Sequence, residues 1–292
     1  MTLFQMEVLV AVANIGNFTR AGEEIGLSQS GVSHTIGSLE KELGISLFVR
    51  NRTGVTLTAA GEEIVSSARV ILAHSSRIKE IASQSSGLLH TTIRIGSFPS
   101  ATEHLVLPLI RELGSLHPHL ETRLFEGTYP EIKEWIRTGV IDVGFHVLPE
   151  EGLDGMTLMQ DPLTAVVSAQ HPLAKEGTVT FEQLAQEPFI MPMAGCELLL
   201  HQEFGRRQLK PQIKYEVVDN ATILAMVEAG IGVTVVPTLT LPPTLPQVKA
   251  IELSPPVYRQ IGLVVRSLHE CSPSILAFLR EAERFFSTFT SK

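Results

Sequence analysis

The sequence predicts an α/β chain in three parts: an all-α N-terminal domain of the winged helix-turn-helix type, one long helix, and a two-lobed domain. Three observations predict it. NFTRAGEEIGLSQSGVSHTIGSLEKEL (17–43) reads as two short amphipathic helices joined by a tight turn. Residues 59–82 carry one long helical seam. From residue 92 onward, short apolar runs alternate with amphipathic ones, the pattern of strands connected by crossover helices.

The first helix has Phe4, Val8, Ala11, Val12 and Ile15 on one face. Glu7 and the absence of a basic leading region or a small-residue cleavage site distinguish it from an export signal. In the next pair, Phe18, Ala21 and Ile25 precede Gly26, and Val32, Ile36, Leu39 and Leu43 repeat at a 4-3-4 spacing that gathers them on one face. Ser28 is placed to cap the second helix. Gln29, Ser30, Ser33 and His34 are left facing outward at its start, and all four can hydrogen-bond base edges or phosphate oxygens. Such helix pairs also occur in ordinary bundles. The continuation GISLFVRNRTGVTLTAAGEE favours DNA, because it reads as a hairpin around 51–54 carrying Arg50, Arg52 and Thr53.

SQSGVSHTIGSLEKELGISLFVRNRTGVTLTAAG closely resembles the N-terminal segment of the LysR-type transcriptional regulators, and the match runs from Phe4 to about Gly61. LHPHLETRLFEG, GVIDVGF, HPLA and VEAGIGVTVVP are similar to recurring phrases of that family's effector domain. The chain departs from the family pattern at Gly22, where a second Ala is usual, at Gly31, and at Gly37–Ser38, which replaces an often basic pair. A Gly inside a helix costs about 0.5–1 kcal/mol relative to Ala. Loss of bases at 37 and 38 shifts weight onto Arg50 and Arg52.

In the long helix, Ile64, Ala68, Ile71, Ser75, Ile78 and Ala82 alternate four and three residues apart. This seam either packs on its own domain or pairs two subunits. Its isolation between the head and the Ser/Gly break at 83–87 favours pairing, and the resemblance implies a linker helix that joins subunits in a homodimer or homotetramer. The expected divisions are 1–58 for the head, 59–88 for the linker, and 89–292 for a periplasmic-binding-protein-like effector domain. Its first lobe comprises about 90–161 and 267–292, and its second about 162–266. The resemblance implies hinge crossings near 161–164 and 265–267.

Strands are expected at 93–96, 122–126, 141–146, 163–168, 189–191, 213–218, 231–236 and 260–265. Ligands bind such sheets at the carboxyl ends of strands. Those ends carry Ser97, Ser100 and Thr102, then Thr128, then Met193 and Cys196, and then Asn220. Hydroxyls and free helix amides suit a small carboxylate effector, although some of these residues must simply cap helices. The resemblance implies effector contacts at Ser100 and Thr128. Cys196 reads either as a packed thiol or as a sensor.

The 292 residues suffice for several cores, and 44% hydrophobic with 18% charged residues is ordinary for a soluble protein. A net charge of −8 argues against coating nucleic acid by charge alone, so base reading by a few placed side chains is expected. No run is apolar enough to span a bilayer, which makes cytoplasmic residence the default and a membrane partner unexpected. No cofactor or metal is expected. The two cysteines are far apart, and no dinucleotide fingerprint, phosphate loop, nucleophile elbow or H-E-x-x-H occurs. The expected function is regulation of transcription by binding double-stranded DNA under control of a small effector, without catalysis. The alternatives are a ligand-binding protein with a vestigial DNA head and an enzyme on the same fold.

Overall fold

The computed structural model describes residues 1–51, 54–84, 91–118, 120–245 and 247–289. The head begins with α1 (Leu3–Ile15), α2 (Phe18–Ile25) and α3 (Gln29–Leu43), followed by the antiparallel pair β1 (Phe48–Asn51) and β2 (Gly54–Leu57). Each helix start is capped. Thr2 accepts from the Gln5 amide, Asn17 Oδ1 from the Thr19 and Arg20 amides, and Ser28 Oγ from the Gly31 amide. Met6, Val8, Leu9 and Val12 bury the inner face of α1, whereas Phe4, expected on that face, is exposed. At Gly22 the turn explains the departure from Ala. A β-carbon there would lie 2.5 Å from the Leu27 carbonyl oxygen, so the glycine permits the tight crossing and is not simply a weak helix former.

Helix α4 (Ala59–Gln84) packs against α1 and the hairpin. The expected seam divides between two faces. Val65 and Ala68 are buried in the head's core with Ile64 and Leu72 beside them, while Ile71, Ile78 and Ala82 stay exposed and Ser75 is half-buried. Ala68 therefore serves its own domain and is not free for a partner helix. Residues 85–90 at the end of the expected linker lie outside the described residues.

Two cores follow. The first is built on β3 (Thr91–Ser97), β4 (Leu120–Glu126) and β5 (Val143–Leu148), with β3 parallel to both neighbours. It is covered by α5 (Pro99–Ala101), a π turn at Thr102–Val106 and α6 (Leu107–Leu116), then by α7 (Tyr129–Arg137). The wide turn lies just before Pro108, whose missing amide breaks the regular helix ladder.

The strand expected at 163–168 is the far half of β6 (Asp154–Ser168). The second core gathers on that half with β7 (Thr178–Val179), α8 (Phe181–Leu184), β8 (Pro188–Pro192), α9 (Glu197–Arg206), β9 (Gln212–Val217), α10 (Asn220–Glu228), β10 (Thr234–Pro237) and β11 (Val248–Leu253). Strand β12 (Tyr258–Val265) then pairs antiparallel with both β5 and the near half of β6, and α11 (Pro273–Phe289) closes the chain.

The expected lobe boundary near 266 is not the one observed. Ile261, Leu263, Val264 and Val265 are buried in the first core, so β12 belongs to the first lobe. The second crossing lies at Val257–Tyr258, where the Leu163 amide donates to the Val257 carbonyl, and not at 265–267. The centre of the sheet is antiparallel, because β12 returns alongside β6 without a crossover helix.

Candidate functional site

In the head, α3 presents Gln29, Ser30 and His34 on its exposed side and Ser33 half-buried, while Val32, Ile36 and Leu39 are buried behind them. The 4-3-4 spacing produces this division. The capped N-terminus aims free amides and the first turn's polar side chains outward together. Arg50 lies in β1, opposite Val55 across the hairpin. Arg52 and Thr53 lie outside the described residues.

The second constellation lies where the two lobes meet. Arg259 on β12 and Asp161 on β6 are cross-strand partners, and both are almost wholly buried. The guanidinium donates through Nε to Asp161 Oδ2 at 2.8 Å, through Nη1 to the Tyr129 hydroxyl at 2.7 Å, and through Nη2 to Ser100 Oγ at 3.0 Å. It also lies 5.1 Å from the centre of the Phe98 ring. Asp161 Oδ1 accepts from the Leu239 amide, which belongs to the second lobe's side of the crossing. Loss of water pushes the Asp161 carboxyl up, while Arg259 and the Leu239 amide pull against it.

Tyr129 reaches across to the second lobe. A β-carbon at Gly195 would stand 2.7 Å from the Tyr129 ring, so only glycine allows this approach. Burial pushes the Tyr129 hydroxyl up to about 12 and the Cys196 thiol likewise to about 12. A thiol held so far up is almost entirely protonated at neutral pH, which suits a packed cysteine.

Of the residues expected at an effector site, Ser100 and Cys196 lie at this cluster, and Met193 is half-buried beside the second core. Thr102 follows Ser100 by two residues and holds a buried hydroxyl with no hydrogen-bond partner among the described residues. Ser97 is buried and donates to the Phe98 carbonyl at 3.3 Å. The Thr128 hydroxyl donates to Glu131 Oε2 at 2.7 Å, so it is engaged at the start of α7. Asn220 opens α10, where Asp219 is the cap. Sequence reasoning missed Arg259, Asp161 and Tyr129. The available signal was a lone base in YRQIGLVV and a lone acid in MQDPLTAVV, each inside an otherwise apolar strand.

Residues 3–62 match the model of the bacterial regulatory helix-turn-helix protein, lysR family, and residues 86–287 match the LysR substrate binding domain. The chain belongs to the LysR family. It is a transcriptional regulator with a helix-turn-helix DNA-binding domain and an effector-binding domain. This LysR-family chain is 33% identical to the HTH-type transcriptional regulator YvbU of Bacillus subtilis, over 98% of its own length and 99% of that protein's. It is 30% identical to the DNA-binding transcriptional dual regulator OxyR of Escherichia coli, over 91% and 90% of the two lengths. Its fold is similar to that of a full-length OxyR variant from Pseudomonas aeruginosa, with a TM-score of 0.79, 24% identity, and coverage of 97% and 95% of the two chains. No helix among the described residues is long and apolar enough to cross a membrane.

Proposed function

We propose that this LysR-family regulator answers to a small organic anion, a carboxylate in the simplest case, taken up at the interlobe cluster around Arg259. The seam where Ser100 and Tyr129 of the first lobe meet Gly195 and Cys196 of the second carries this reading, and Thr102, two residues after Ser100, adds a buried hydroxyl with no hydrogen-bond partner among the described residues. A polar atom without water or a partner costs free energy, and a ligand oxygen would satisfy it. The Ser100 and Tyr129 hydroxyls accept from the Arg259 guanidinium, and Gly195 and Cys196 of the second lobe border the same seam. A carboxylate accepting from the first lobe while touching the second would favour one lobe angle over another.

Titration calorimetry with a panel of small mono- and dicarboxylates tests the reading. Replacing Ser100→Ala together with Thr102→Val should weaken the binding acid by about 1–3 kcal/mol and abolish its effect on the DNA footprint. Binding as tight as the parent's would place the effector elsewhere.

At the DNA, we assign base reading to Gln29, Ser33 and His34, and backbone contact to Ser30 and the hairpin's Arg50, Arg52 and Thr53. Competition binding with Gln29→Ala should show a loss of about 1–3 kcal/mol on the specific site alone. An equal loss on random DNA would make Gln29 a phosphate contact. For assembly, the exposed Ile71 and Ile78 on α4 supply the apolar stripe for a second copy. Ile71→Arg should shift sedimentation toward the monomer, and an unchanged profile would remove α4 from the interface. Cytoplasmic residence accords with binding DNA.

A further inference from the structure

A cavity of about 360 Å³ lies between α4 and the first lobe, and none of Ser100, Tyr129, Asp161 and Arg259 lines it. Its charged lining is unusual for a chain in which acids outnumber bases 31 to 23. Arg69 and Arg77 come from α4, Arg94 and Arg123 from the adjacent strands β3 and β4, and Arg266 from the segment following β12. Two acids face these five bases. Asp142 is taken by Arg94, through Nε at 3.0 Å and Nη2 at 2.6 Å, and Glu270 is taken by Arg266 at 2.6 Å.

The other three guanidiniums have no carboxylate partner among the described residues. Arg69 donates to the neutral Asn14 carboxamide at 2.6 Å, and Arg77 to the His269 carbonyl at 3.4 Å. Arg123 is exposed. Arg69 is further disfavoured as a cation, first by burial and then by the Arg94 charge. Like charges held together around a cavity favour an anion that can bridge them, and guanidinium forks match the oxygens of phosphate and carboxylate groups.

We propose that this junction is a second ligand site, taking a small polyvalent oxyanion that bears phosphate or several carboxylate groups. The ligand would touch the linker helix and the first lobe at once. Arg69 also holds α1 of the head through Asn14, so occupancy would set the angle between head and effector domain without passing through the interlobe cleft.

Calorimetric titration of the full chain with inorganic pyrophosphate and, separately, with citrate at constant ionic strength tests this and tells a phosphate ligand from a polycarboxylate one. Saturable binding of one of the two is expected, weakened by about tenfold or more in Arg69→Gln/Arg123→Gln and in Arg77→Gln. Ser100→Ala at the interlobe cluster should leave that affinity unchanged. Small-angle scattering should show a change of shape on adding the bound anion that the double variant lacks. The proposal is overturned if neither anion binds saturably, or if Lys175→Gln on the second lobe's surface weakens binding equally. It is also overturned if the arginine variants dissociate the oligomer while leaving anion affinity intact, since the cavity would then hold an acidic side chain of a second copy.

Discussion

Arginines occupy two junctions of this molecule in opposite ways. Between the lobes, Arg259 is 4% exposed and each branch of its guanidinium ends on an oxygen of Asp161, Tyr129 or Ser100. At the linker, Arg69, Arg77 and Arg123 keep part of their surface in water and have only neutral partners or none among the described residues. The contrast follows from desolvation. A charge withdrawn from water must be matched in full, whereas one that remains wet can wait for a counter-charge. The first arrangement engages the cation within the protein, so a ligand there is held by the groups around it, whereas the second leaves the cations themselves with capacity to bind.

The contrast breaks most severely if Arg259 is lost. Arg259→Met strands the Asp161 carboxylate in the interior and should cost about 3–5 kcal/mol in urea unfolding. A loss below about 1 kcal/mol would mean that water reaches Asp161 and that the cluster is not sealed. Removing both charges sharpens the point. Arg259→Met with Asp161→Leu should recover most of that loss and return to within about 1 kcal/mol of the parent, because the penalty lies in the orphaned charge and not in the missing pair. If the double variant is as unstable as the single, Tyr129 and Ser100 left without their donor are the larger cost. The smallest effect is expected at the linker. Arg69→Gln should change stability by no more than about 0.5 kcal/mol, since it removes no ion pair and relieves repulsion from Arg94. A large loss there would show that the Asn14 contact anchors α4 to the head.

The two regions also differ in how far they could be read from the sequence. The recognition helix was legible because everything needed lies within about fifteen residues. Val32, Ile36 and Leu39 mark the buried face, and Ser28 marks the start. The seam on α4 was legible only in part. One helix carries two apolar stripes, and periodicity does not say which of them its own domain covers, so Ala68 was assigned to the wrong one. Only 163–168 of β6 was expected as a strand, the run that begins just after Pro162. In the structure Pro162 lies where β6 exchanges β12 for β10 and β11 as neighbours. The Arg259–Asp161 pair was illegible because its members are 98 residues apart and meet only when β12 returns beside β6. Ser100 was legible as a strand-end hydroxyl, but its partner was not.

That return has a consequence for the architecture as a whole. Pro162 and Tyr258 face each other as cross-strand partners, with Asp161 opposite Arg259 and Gln160 opposite Gln260. The whole second lobe is therefore a parenthesis: it opens and closes at adjacent points of one antiparallel ladder. Replacing residues 163–257 by a two-residue hairpin turn would join two strands already in register, leaving the first lobe's core, its α11 lid and the attached head with their native chain path. The deleted chain would lack Cys196 and the Leu239 amide while keeping every residue around the linker cavity, a miniature regulator in which the two arginine junctions are separated by construction.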